Sequence, residues 1–95
     1  MKNVMFKQWL CAIDKRTYAN GRVALQLIDA EDGCPIATAT VNLPDEQVAP
    51  DETFIKDYSE NAGMLEALLK AGIIERTGVT ARTGFVTVEK VKVLV

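Results

Sequence analysis

The chain has 95 residues, 48% hydrophobic and 25% charged, with a net charge of −2 and no histidine. That length predicts one domain over residues 1–95 with a small core, and the composition is far from that of disordered chains. The charge opposes direct binding to nucleic acid, and the missing imidazole removes the commonest general base and metal ligand, along with every Ser-His or Cys-His nucleophile pair.

No apolar run approaches a membrane span, which needs about 18 residues. Met1 to Leu10 interleaves Lys2, Lys7 and Gln8 with apolar side chains and shows no leader-like core, so the cytoplasm is the expected location, without membrane contact. In that reducing setting Cys11 and Cys34 are expected as two small semi-buried thiols rather than a disulfide.

In chain order, Asn3 to Asp14 reads as extended. Val4, Phe6, Leu10 and Ala12 share one parity and Met5, Trp9, Cys11 and Ile13 the other, which suits a strand covered on two sides or one carrying a bulge. Asn20-Gly21 marks a turn. Arg22 to Asp29 is a strand with Val23, Leu25 and Leu27 on one face, and Asp32-Gly33 followed by Pro35 turns the chain again. Ile36 to Leu43 alternates as a third strand rich in β-branched residues. These three segments predict an antiparallel meander.

Pro44 to Tyr58 reads as a loop, with a short extended piece at Thr53 to Lys56. A helix of about ten residues follows. Ser59 or Asn61 is its expected cap, Met64, Leu65, Leu68 and Leu69 form its apolar stripe, and Gly72 supplies the left-handed residue that ends it. Ile73-Ile74 then reads as a short extended stretch, and Gly78 and Gly84 as punctuation in a loop. Phe85 to Val95 reads as one long strand with a bulge at Glu89-Lys90, or as two strands. The expected class is α+β: a mainly antiparallel sheet, β-β-β-loop-α-β-β, with one short helix packed on one face.

Catalytic and cofactor motifs are absent. No glycine-rich phosphate loop appears, two isolated cysteines cannot complete a zinc site, and no cofactor, metal or catalytic residue is assigned. Asp29, Glu31 and Asp32 share a tight turn, but lack the ligand register of a dedicated calcium loop and read as a solvated tip. The protein is expected not to be an enzyme. Trp9 and Tyr58 are either core aromatics or exposed anchors of a protein interface.

Charge is distributed unevenly. From Pro44 to Glu66, seven carboxylates face one base, Lys56, while both flanks carry a basic excess. Three readings compete: a solvated loop, an acidic surface that steers a basic partner, and acids neutralised within the fold by the basic C-terminal strand region. On the second reading the candidate interaction residues are Asp45, Glu46, Asp51, Glu52, Asp57, Tyr58 and Glu60.

The tracts Val23 to Asp29, Ala37 to Pro44, Phe54 to Asn61 and Gly72 to Gly78, with Thr83-Gly84-Phe85, resemble a family of uncharacterised small proteins carried by bacterial phages, plasmids and conjugative elements. The resemblance covers about two-thirds of the chain and implies an accessory role in a mobile element, with no catalytic residue to carry over. With the charge, it leads to the expectation of a non-enzymatic factor that binds a host protein, such as a nucleic-acid-binding defence complex, as an anti-CRISPR or anti-restriction inhibitor. The alternative is a structural or self-assembling homodimer, formed through the edge of the apolar C-terminal strand.

Overall fold

A computed structural model describes residues 3–95. Met1 and Lys2, the start of the segment read as leaderless, lie outside the described residues. Eight strands and one α-helix follow in order: β1 (Asn3–Phe6), β2 (Trp9–Thr17), β3 (Val23–Asp29), β4 (Pro35–Thr38), β5 (Thr40–Val41), β6 (Glu52–Ile55), α1 (Met64–Lys70), β7 (Ile74–Thr83) and β8 (Val86–Val93). They form two antiparallel four-stranded sheets, ordered β1-β2-β3-β4 and β5-β6-β8-β7. The α+β class with a single short helix on a mainly antiparallel sheet is the one the sequence predicts. The sheet, however, is divided in two.

The division falls at Ala39. Its N–H donates to Leu25 O at 2.8 Å in the first sheet, and its C=O accepts from Lys56 N–H at 2.8 Å in the second. The third predicted strand therefore changes sheets at one fully buried residue, as strands do at the corners of packed sheets. The departure leaves Leu25 N–H without a ladder partner, and Thr40 Oγ1 accepts it at 3.3 Å. The same hydroxyl is 2.8 Å from Tyr18 OH. A second buried threonine ties the sheets together: Thr53 Oγ1 on β6 donates to Val23 O on β3 at 3.0 Å.

Alternation places Val4 and Phe6 of β1, Cys11 of β2 and Val23, Leu25 and Leu27 of β3 on the inner face. They meet Ile55, Val91 and Val93 of the second sheet. Met64, Leu65 and Leu68 of α1 complete this core, and the helix packs against β1 and β7. A smaller cluster of Phe54, Ala81 and Val88 lies on the other face of the second sheet, under Val41, Leu43, Val48 and Tyr58. Arg22 holds the covering loop from below, with its guanidinium donating to the carbonyls of Leu43, Pro44 and Glu46.

Three local expectations are corrected. Asn3 to Asp14 is a hairpin rather than one strand: it reverses at Lys7-Gln8, pairing Phe6 with Trp9. Lys7 takes φ 55°, a left-handed position that favours glycine, so the sequence carries no turn signal there. The helix has seven residues, and its N-cap is Gly63 rather than Ser59 or Asn61, which belong to a 3-10 turn. Its first amides are taken by Asp57, whose Oδ1 accepts from Gly63 N–H at 3.1 Å and Leu65 N–H at 3.0 Å. The helix ends at Gly72 as expected: Ile73 N–H reaches Leu68 O and Gly72 N–H reaches Leu69 O, a Schellman pattern.

Gly78 lies within β7 rather than in a loop. The bulge is here, where register shifts between Arg76 and Thr80, and not at Glu89-Lys90, which runs unbroken through β8. Thr77 Oγ1 stabilises it by donating to Lys90 O at 2.7 Å. The C-terminal strand β8 lies between β7, which pairs with it from Val86 to Val93, and β6, which pairs with it over Lys90 to Lys92.

Candidate functional site

The seven candidate interaction residues separate about β6. Asp45 and Glu46 lie in the β5–β6 connection, and Asp51 and Glu52 lie at the start of β6. The carboxylates of Asp45 and Glu46 make no hydrogen bond or ion pair among the described residues, and both residues are exposed. Asp51 Oδ2 is 3.9 Å from Lys92 Nζ. Glu52 Oε1 accepts from Ala49 N–H at 2.8 Å, closing the end of the loop. Register also places Glu52 and Glu75 on either side of Lys92, so Glu75 joins this group on the same sheet face. Sequence reasoning missed Glu75 because it lies 23 residues along the chain from Glu52 and is joined to it only by strand pairing.

The remaining candidates lie beyond the other end of β6 and serve the fold. Asp57 caps α1. Tyr58 is half-buried against the smaller cluster, and Lys56 Nζ lies 5.7 Å from its ring centroid. Glu60 pairs with Lys56 at 2.6 Å, and its backbone carbonyl accepts from Lys7 Nζ at 2.7 Å. The hydrogen bond from Lys56 holds the Glu60 carboxyl below its ordinary value, and Glu60 in turn raises Lys56. The acidic segment is therefore two groups, one outward-facing and one bonded internally.

A second feature opens near the internal group. A cavity of about 330 Å³ is lined by Phe6 and Trp9 of the first hairpin and by Ile36 to Thr38 of β4. Lys7, Lys56 and Glu60 also line it. Asn61, buried, donates from Nδ2 to Thr38 O at 2.6 Å. Trp9 is 38% exposed, which makes it part of this opening rather than of the closed core.

Met5 and Leu10 form a cross-strand pair on the outer face of the first sheet, both exposed. Phe85, at the β7–β8 turn, is fully exposed. Both thiols are free: Cys11 is buried, and burial pushes it up, while Cys34 is exposed and is raised by its hydrogen bond to Asp32. Among the described residues, no three His, Cys, Asp or Glu side chains gather to hold a metal ion, and no helix is long and apolar enough to cross a membrane.

No protein-family model, curated protein or solved structure matches the chain.

Proposed function

We propose that the protein is a non-enzymatic binding module that docks on another protein through the acids at the β5–β6 connection. In its sharpest form it is a mobile-element accessory factor that inhibits a host defence complex, anti-CRISPR or anti-restriction, by meeting a basic nucleic-acid-binding surface. The observation that carries this reading is the pair of exposed carboxylates of Asp45 and Glu46, without a partner among the described residues, on the connection that leads to Asp51 and Glu52, which with Glu75 surround Lys92. Such a surface steers a cationic partner. The lack of histidine and of any catalytic motif supports a role in binding rather than catalysis.

The test is a pull-down from host lysate, followed by a gel-shift assay on the purified captured complex. The expected partner is one basic nuclease or surveillance complex whose binding to nucleic acid is blocked. Capture should be lost in the triple variant Asp45→Asn, Glu46→Gln, Asp51→Asn. Asp57 and Glu52 are left intact because they close the helix and the loop. Undiminished capture by the triple variant removes the acidic surface from the mechanism.

Self-association is the second reading, favoured by the fully exposed ring of Phe85. Light scattering decides it: a dimer that dissociates on Phe85→Ser supports it, and a monomer at high concentration removes it.

A further inference from the structure

We propose that the free edge of β4 and the adjoining cavity bind the carboxyl end of an extended peptide by strand addition. This site lies beyond the opposite end of β6 from the Asp45 group and does not depend on the reading above.

The first argument is main-chain bonding. Ala39 N–H points at Leu25 O, so alternation in the antiparallel ladder turns Ala37 toward β3 and directs Thr38 N–H and C=O to the open side. Ile36 is the extra residue where the register shifts, and its C=O, in one peptide with Ala37 N–H, also faces outward. No strand pairs there, because β4 is the last strand of its sheet. Thr38 C=O already accepts an amide donor, the side chain of Asn61, which occupies the place of a strand partner. Ile36 C=O and Thr38 N–H remain for an added strand. Edge pairing of this kind supplies affinity, and side-chain pockets beside it supply selectivity.

The second argument is length. The open edge covers residues 36–38, about 10 Å of strand. Beyond Thr38 the backbone is enclosed: Ala39 is buried, its C=O is taken by Lys56 N–H, and Asn61 blocks Thr38. A strand added along this edge has to stop there. A chain end fits that geometry, and a through-running segment does not.

The third argument is charge. Lys7 and Lys56 line the cavity with one carboxylate, Glu60, between them. Glu60 is paired with Lys56, whereas Lys7 donates to a neutral carbonyl and is in no ion pair among the described residues. The lining therefore holds two ammonium groups against one carboxylate, a positive excess that complements a terminal carboxylate. Its volume of about 330 Å³ accommodates one apolar side chain against Phe6 and Trp9. Lys7 and Ser59, the only non-glycine residues with positive φ among those described, are both at this opening or next to a residue that lines it. Backbone strain of this kind concentrates at binding sites.

Trp9 is the chain's single tryptophan and serves as the reporter. The probes are acetylated tetrapeptides ending in Val, Leu or Phe, each as the free acid and as the C-terminal amide. A saturable change in Trp9 fluorescence is expected with at least one free acid, with affinity about tenfold weaker for its amide and for the Lys7→Gln variant. Hydrogen exchange at the Thr38 amide should slow in the complex. Thermal unfolding of Lys7→Gln checks that the variant is folded, and the acid–amide comparison on the unaltered protein stands without it. No saturable response at millimolar peptide overturns the proposal. So does equal affinity for acid and amide, equal saturation by acetate alone, or protection at a different strand edge.

Discussion

At Thr40 one hydroxyl lies between Tyr18 OH and Leu25 N–H, at the point where the chain leaves one sheet for the other. Valine has nearly the same shape but cannot accept the amide, so Thr40→Val leaves a buried N–H without a partner. The expected cost is about 1–3 kcal/mol, read as a lower urea midpoint at an unchanged m-value. Thr40 stands out in the sequence only as a β-branched residue in a strand, which is correct and incomplete. Its second role comes from the turn of the chain at Ala39, and no local pattern announces a corner. Lys7 is the converse case. Its backbone takes a conformation that glycine would signal, so the β1–β2 turn was invisible and two short strands read as one.

Among the elements, β3 and α1 were the most legible. Val23, Leu25 and Leu27 alternate into the core, Met64, Leu65 and Leu68 form the helix stripe, and Gly72 closes it. Each of these signals lies within a few residues of what it specifies. The helix cap was not legible because Asp57 stands six residues before Gly63, across an intervening 3-10 turn. With only seven residues, α1 cannot hold itself together without packing and capping. Asp57→Ala is expected to cost about 0.5–2 kcal/mol in chemical denaturation, and Asp57→Asn to recover part of that, since its amide retains the accepting oxygen. The strand β7 was missed for a related reason: Gly78 reads as a breaker, but in the fold it is part of a bulge held by Thr77.

For the whole molecule, the class was legible and the sites were not. Composition and alternation set an α+β chain with a mainly antiparallel sheet, because burial follows periodicity. The cavity draws Phe6, Thr38 and Lys56 from three distant segments, and the acidic surface gains Glu75 only through strand register. One residue links two of these segments: Glu60 bonds Lys56 through its carboxylate and Lys7 through its carbonyl. Its carboxyl is depressed in the folded state, so its contribution is present above the ordinary glutamate range and disappears as pH falls through the lower folded value. Glu60→Gln should therefore lower the urea midpoint slightly at neutral pH, with the two midpoints converging once the carboxyl is protonated in acid. A gap that persists in acid would mean that the side chain acts through packing rather than charge.

The central position of β8 also bears on how the protein is made. The first four strands pair with near neighbours in the chain and can assemble as a unit while synthesis continues. On the ribosome, β6 and β7 must wait for residues 86–93 to emerge and slot between them. Until then Phe54 lacks Val88 and Ile55 lacks Val91 and Val93, so the nascent chain is most prone to misassociation just before β8 arrives.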